Sequence, residues 1–284
     1  MNVWKLIGGF ELPTVGLGTW TIGGEREPDY SNDKEFIEAI KFALEIGYTH
    51  IDTAEMYAGG HCEELVGRAV KNSDRRKLTI ATKVTKGHLH YEDVLKAAQN
   101  SLERLGMNYI DLYYIHSPST EIPLEETMKA INKLVEDGLV KHIGVSNFSA
   151  DLFIKAQELS GNKIVANQIE YNLLTRERGE NGYENKNMES RTVPYCQEND
   201  VLVVAERPIE RGRLLEPNEV MDRLTEKYSK TRAQIAINWL VSQKNVVTIP
   251  KSQDKEHLKD NLEAGSWTMD SEDIEELRGA YETT

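Results

Sequence analysis

The feature of this 284-residue chain that most constrains its fold is an alternation, repeated eight times, of a short apolar run with a longer amphipathic one. The short runs are Thr14–Gly18, Thr49–Asp52, Leu78–Lys83, Tyr109–His116, Lys141–Ser146, Ile164–Glu170, Val201–Glu206 and Val246–Pro250. The segments between them carry apolar residues three and four apart and several end at glycine, as in 33–47, 61–72, 91–106, 124–138 and 150–161, the pattern of helices with one buried face and a glycine stop. Later helices are expected over 218–229, 232–243, 254–264 and 271–281. Strands that alternate with helices must run parallel, and eight of them predict a closed (β/α)8 TIM barrel, an α/β fold that typically takes about 250 residues. The surplus is placed in a β-hairpin turning at Gly8-Gly9, before the first barrel strand, and in an extra C-terminal helix. The polar stretch from Thr175 to Thr192 shows no clear period and reads as a long surface loop. No linker divides the chain, so residues 1–284 are read as one domain.

Composition narrows the function. A formal net charge of −13 disfavours nucleic acid as a partner. The apolar runs are too short to span a bilayer, and no basic-then-apolar leader opens the chain, so a cytoplasmic protein is expected. Cys62 and Cys196 are read as two buried or half-buried thiols rather than a disulfide. His88 and His90 lack a third ligand, so no metal is expected. The Asn147-Phe148-Ser149 sequon lies in an expected barrel-mouth loop.

Barrel active sites form at the C-terminal ends of the strands. Asp52 ends the second run, Lys83 the third and His116 the fourth, and Tyr57 follows Asp52 by five residues. Singly each has an ordinary reading: a turn-forming aspartate, a packing tyrosine, a rim lysine and a half-buried imidazole. Together they compose a proton donor. A free phenol is a weak acid, with a pKa of about 10. A lysine cation beside it favours the phenolate, and an aspartate holds that cation. A neutral histidine can hold a carbonyl beside the phenol.

These segments closely resemble the aldo-keto reductase family. HIDTAEMYAGGHCEELVGRAV is similar to its Asp-and-Tyr segment, IATKV to its lysine strand and DLYYIHSP to its histidine strand. LPTVGLGTW, KHIGVSNFS, ANQIEYN and TIPKS resemble its first, fifth, sixth and eighth strand ends, in order, from about the hairpin to Asn261. The resemblance implies hydride transfer from a reduced nicotinamide to an aldehyde or ketone. Tyr57 would be the proton donor and His116 would orient the carbonyl. Lys83 would lower the tyrosine pKa, and Asp52 would support Lys83 and border the cofactor.

The family binds its cofactor extended across the barrel mouth, and no G-x-G-x-x-G occurs here between a strand and a helix. By the same resemblance Ser146, Asn147 and Gln168 would hold the nicotinamide carboxamide. Gly18, Thr19 and Trp20 would form the first loop, with Trp20, Tyr57 and His116 around the substrate. Ile249, Pro250, Lys251 and Ser252 would form the segment meeting the adenosine 2′-phosphate, and His257 and Asn261 would lie near adenine. NADPH is therefore the expected cofactor, with NADH possible, and the expected partner is a small carbonyl compound.

Two places in the chain depart from the family's pattern. Glu206, Arg207, Pro208, Ile209 and Arg211 lie in the run after the seventh strand, where an aromatic ring usually stacks on nicotinamide; Glu206 stands in its place, and Arg207 replaces a small hydroxyl residue. His257 stands where an arginine is common. The departures leave a second reading open, a cofactor-binding sensor or regulatory subunit with little turnover. A barrel hydrolase would rest on fold alone, without paired strand-end carboxylates. Neither the physiological substrate nor an oligomeric state is written in these patterns.

Overall fold

A computed structural model describes residues 3–177 and 187–281. It opens on an antiparallel hairpin, β1 (Trp4–Ile7) and β2 (Phe10–Pro13). Gly8 and Gly9 sit between them with φ of 53° and 89°. A two-residue turn with both φ values positive twists in the same sense as the strands it joins, and glycine adopts it without steric cost. Eight parallel strands follow: β3 (Leu17–Gly18), β4 (His50–Asp52), β5 (Thr79–Val84), β6 (Ile110–Ile115), β7 (Val140–Ser146), β8 (Ile164–Glu170), β9 (Leu202–Glu206) and β10 (Val246–Thr248). Each pairs with the next, and a parallel bridge between Val15 and Thr248 joins the last strand to the first. The eight alternating runs of the sequence are these eight strands.

The helices are α1 (Asp33–Ile46), α2 (His61–Val70), α3 (Tyr91–Leu105), α4 (Leu124–Glu136), α5 (Ala150–Leu159), α6 (Val193–Glu198), α7 (Glu219–Tyr228), α8 (Arg232–Val241), α9 (Lys255–Glu263) and the extra C-terminal α10 (Ser271–Gly279). Their apolar stripes pack on the outward side chains of the strands; Val94, Ala98 and Leu102 of α3, for example, join Tyr113 and Ile115 of β6. The inward side chains form a second core. There Ile7, Phe10 and Leu12 of the hairpin meet Ala81, Leu112, Tyr114, Ala166, Leu202, Val204 and Val247. The hairpin closes the end of the barrel at which the strands begin: Phe10 packs on the ring of His142, early in β7, at 4.5 Å.

Two expectations are corrected. First, α6 has no counterpart in the periodicity reading, because six residues with Pro194 in the first turn are too few to display a helical repeat. Second, the stretch from Thr175 to Thr192 is not simply a surface loop. Residues 178–186 lie outside the described residues, but the flanks are built in. Thr175, Arg176, Met188 and Thr192 are buried, and Met188–Thr192 is a π-helical turn leading into α6. The Arg176 guanidinium donates to the carbonyls of Leu173 and Arg278, both at 3.0 Å, and pairs with Glu189 at 3.1 Å. The polar composition hid this because the buried charge is satisfied by backbone carbonyls, one nearby and one from the far end of the chain. Cys62 and Cys196 are buried free thiols, as expected.

The seam of the ring is closely packed. A Cβ added at Gly18 would lie 2.4 Å from the Ile249 carbonyl oxygen, a backbone atom that cannot rotate away. Gly18→Ala is therefore expected to destabilise the protein by about 1–3 kcal/mol, as overpacking does. Gly87, which has open space around its Cβ direction and an ordinary φ, supplies the control: Gly87→Ala should stay within about 0.5 kcal/mol of the parent. Denaturant midpoints of the two variants make the comparison. Equal midpoints would mean that the seam does not require glycine.

Candidate active site

The site is built from the ends of the strands and the turns that follow them. Asp52 is the last residue of β4, and its carbonyl accepts hydrogen bonds from the Thr19 N–H at 3.1 Å and the Thr19 hydroxyl at 2.8 Å. Lys83 comes from the neighbouring β5 and is fully buried. A buried ammonium is costly unless it is paired and hydrogen-bonded, and this one is both. Its Nζ is paired with Asp52 Oδ1, and it donates to the Thr53 carbonyl at 2.8 Å and to the Tyr57 hydroxyl at 3.4 Å. Tyr57 begins a tight turn, Tyr57–Gly60, in which Ala58, Gly59 and Gly60 all have positive φ. That turn is tied to the loop after β3 by Ala58 N–H donating to the Glu25 carbonyl at 3.2 Å. Tyr57 is itself buried, which leaves the phenol with the lysine on one side and aromatic rings on others.

His116 follows β6, and its N–H donates to the Val84 carbonyl at 3.0 Å. Its ring stands edge-on to Tyr57, with centroids 5.8 Å apart, and Trp20 stands edge-on at 4.8 Å. Burial, with the Lys83 cation added, pushes the His116 pKa down to about 3. The imidazole is thus neutral at physiological pH and can donate a hydrogen bond without bringing a charge. Asp52, Tyr57, Lys83 and His116, which are spread over 65 positions of sequence, form one contact group here, with Trp20 as its wall. The arrangement can give a proton to an oxygen presented between Tyr57 and His116.

The residues expected around a cofactor lie in three stretches of the rim. Ser146 ends β7, and Asn147, at a φ of 61°, donates its backbone N–H to the Gln168 carbonyl at 2.8 Å and its side-chain amide to Ser146 Oγ at 3.2 Å. Gln168 of β8 departs from its expected role in one respect: its Nε2 is taken by Asp52 Oδ2 at 2.8 Å. Its Oε1 is buried, with no hydrogen-bond partner among the described residues. Sequence reasoning missed this link. Its only trace was that both residues stand near the ends of strands.

The second stretch follows β9. Glu206 is the last strand residue, and its carbonyl faces the Tyr171 N–H at 3.5 Å. Arg207, with a φ of 53°, pairs with Glu170 of β8 at 2.7 Å. Pro208 is buried, Ile209 packs against the outer core, and Arg211 is exposed with a φ of 53°. In the third stretch Ile249 and Pro250 are buried, and the Pro250 carbonyl accepts from the Gly18 N–H at 3.2 Å, joining this segment to the first loop. Lys251 is exposed and Ser252 partly so. Asp254 caps α9 by accepting the N–H groups of Glu256 and His257, both at 2.9 Å. His257 is exposed and Asn261 is buried one turn further on. His88 and His90 contact Glu55 and Glu126 respectively. Among the described residues no helix is long and apolar enough to cross a membrane.

The sequence profile of the Aldo/keto reductase family matches residues 14–282. The chain is 33% identical to the methylglyoxal reductase YeaE of Escherichia coli strain K12 over 279 residues, which covers 96% of this chain and 93% of that one. The crystal structure of the thermostable aldo-keto reductase Tm1743 in complex with the inhibitor epalrestat superposes with a TM-score of 0.90 at 40% identity, covering 98% of this chain and 99% of that one. That of an aldo/keto reductase from Klebsiella pneumoniae in complex with NADP and acetate superposes with a TM-score of 0.87 at 29% identity, covering 100% and 97%. With the barrel, the buried Lys83–Asp52 pair and the phenol beside it, this places the chain in the aldo/keto reductase family.

Proposed function

We propose that this protein reduces the carbonyl group of a small aldehyde or ketone to an alcohol, with NADPH as the preferred cofactor. The observation that carries the reading is the buried Lys83 Nζ, shared between Asp52, the Thr53 carbonyl and the Tyr57 hydroxyl. A reduced nicotinamide, when bound, would supply the hydride. The chain's own groups handle the proton. Tyr57 gives its hydroxyl proton to the carbonyl oxygen as negative charge develops there. The Lys83 ammonium stabilises the phenolate left behind, and Asp52 holds the ammonium in place. Neutral His116 donates to the same carbonyl oxygen and aligns it.

The described residues suit a nicotinamide cofactor. The buried, unpartnered Oε1 of Gln168 can accept from a carboxamide N–H, and Ser146 and Asn147 adjoin it. Lys251 and Ser252 would meet a 2′-phosphate, with His257 and Asn261 near adenine. Glu206, Arg207, Pro208, Ile209 and Arg211 would border the nicotinamide and pyrophosphate. The capture of Arg207 by Glu170 reduces the positive charge it can offer a phosphate. A carboxylate at Glu206 would attract the cationic oxidised ring more than the neutral reduced one. The relative named for methylglyoxal and the neighbour solved with NADP support this choice of substrate class and cofactor. Many turnovers of cofactor oxidation with methylglyoxal or another reactive aldehyde are the expected result; a single turnover or none would leave only a cofactor-binding protein.

Tyr57→Phe is expected to keep the cofactor dissociation constant and lose roughly 10²–10⁴ in kcat, the range of one general acid. Steady-state rates with fluorescence titration of the cofactor measure both, and near-native turnover would remove Tyr57 from the mechanism. Lys251→Ala should weaken NADPH binding tenfold or more, since a charge-assisted hydrogen bond contributes about 1.5–3 kcal/mol. NADH binding should barely change, and equal losses for both cofactors would reject a 2′-phosphate contact.

The neutral histidine has a stability signature. Between the ordinary histidine pKa and about 3, the unfolded chain takes up a proton at His116 that the folded protein refuses. Stability is therefore lost as pH falls through that window, at up to about 1.4 kcal/mol per pH unit for one proton. Buried His50, also pushed down, adds in the same direction. Denaturation of the cofactor-free protein between about pH 7 and about pH 5 should show a shallower loss in His116→Asn than in the parent. Identical slopes would mean that His116 titrates normally.

A further inference from the structure

We propose that Gln168 is a positioning residue for proton transfer, holding Asp52 from across the barrel so that Lys83 stays aimed at Tyr57. The inference rests on the function proposed above. In the ring of eight strands, β4 and β8 stand four strands apart in either direction, so they are diametrically opposed. The hydrogen bond from Gln168 Nε2 to Asp52 Oδ2, at 2.8 Å, therefore spans the interior of the barrel. Gln168 is fully buried and Asp52 nearly so. Among the described residues each Asp52 carboxylate oxygen has one partner: Lys83 at Oδ1 and Gln168 at Oδ2. Without Gln168, Oδ2 loses that donor in a buried place. The carboxylate would then be free to turn about its Cβ–Cγ bond in search of another, and Lys83 would follow it away from the phenol.

The same amide faces two ways. Its N–H side holds Asp52, and its Oε1, buried and without a hydrogen-bond partner among the described residues, would accept from the carboxamide of the cofactor. An amide plane is rigid, so a ligand bonded at the oxygen fixes the direction of the nitrogen. Seating of the cofactor and orientation of the Asp52–Lys83 pair are thereby joined through one planar group. The charged and titratable groups around Asp52 are Lys83 from β5, Tyr114 from β6, His116 after it, Tyr57 from the turn after β4, and His50 lower on β4. None of these donates to Oδ2 in the structure, where the donor comes from β8.

Gln168→Glu gives a test that a merely structural role would not pass. A glutamate facing Asp52 can donate only when protonated, and two carboxylates in contact share one proton over a raised pH range. The ratio of the Q168E rate to the native rate at the same pH, with cofactor saturating, should rise several-fold to tenfold per unit as pH falls from about 8 to about 6. Gln168→Leu, which never donates, should show a low ratio that does not change with pH.

A second readout needs neither cofactor nor turnover. The shared proton is bound in folded Q168E and absent from the unfolded chain in this range. Stability is thus present at low pH and lost as pH rises through the raised value. The denaturation midpoint of cofactor-free Q168E should climb toward the native one on acidification, while that of Q168L keeps a constant offset. A Q168E rate ratio independent of pH, or an equal slope in Q168L, overturns the positioning role. If the native protein itself turns over no carbonyl substrate, the proposed function fails, yet the cofactor-free midpoints still decide whether Gln168 braces Asp52.

Discussion

A charged lysine with no exposure to water is the constraint on which the rest of this structure turns. Its burial can be tolerated only if the chain delivers a carboxylate and a carbonyl to the same point, and those come from Asp52 and Thr53 at the end of β4. The carboxylate in turn needs its second oxygen satisfied, which Gln168 does from the far side of the ring. The demands propagate: β4, β5 and β8 must hold their registers, since a slip of one residue would turn these side chains out of the barrel. The Tyr57 phenol, the proposed acid, occupies the remaining direction around the ammonium. Fold and site are thus specified by the same few polar atoms.

Much of this was legible in the chain. Each apolar run became a strand because short β-prone runs between amphipathic segments have one economical arrangement, a parallel ring wrapped by helices. The meeting of Asp52, Tyr57, Lys83 and His116 could be expected because barrel strands end on one face, so residues far apart in sequence come together there. What could not be read is as physical. The α6 helix is too short to show a period. The burial of Arg176 depends on carbonyls from Leu173 and Arg278, and backbone acceptors leave no mark on a sequence. The Gln168–Asp52 bond joins residues 116 positions apart, and it depends on which strands face each other across the closed ring. Arg207 is drawn aside by Glu170 because the two strand ends run side by side, a register effect rather than a motif.

The turn that carries Tyr57 shows how local backbone serves the site. Ala58 adopts a left-handed conformation that costs a residue with a Cβ on the order of 1 kcal/mol. It is held there by the Glu25 carbonyl of the loop after β3, the loop that also brings Trp20 against the phenol ring. One contact therefore fixes both Tyr57 and the wall beside it. The site is assembled from loops, but each loop is anchored to a strand end or to another loop within a few residues of its functional group.

The hairpin at the opposite end has a consequence for traffic. Ile7, Phe10 and Leu12 fill the floor of the barrel and merge with its inner lining, so the group around Lys83 sits in a blind well. A blind well has a single doorway, through which every ligand must arrive and depart, and through which displaced water must also leave. Whatever settles deepest is covered by whatever follows, and it departs last. The order of arrivals and departures then follows depth, which is set by the hairpin at the beginning of the chain.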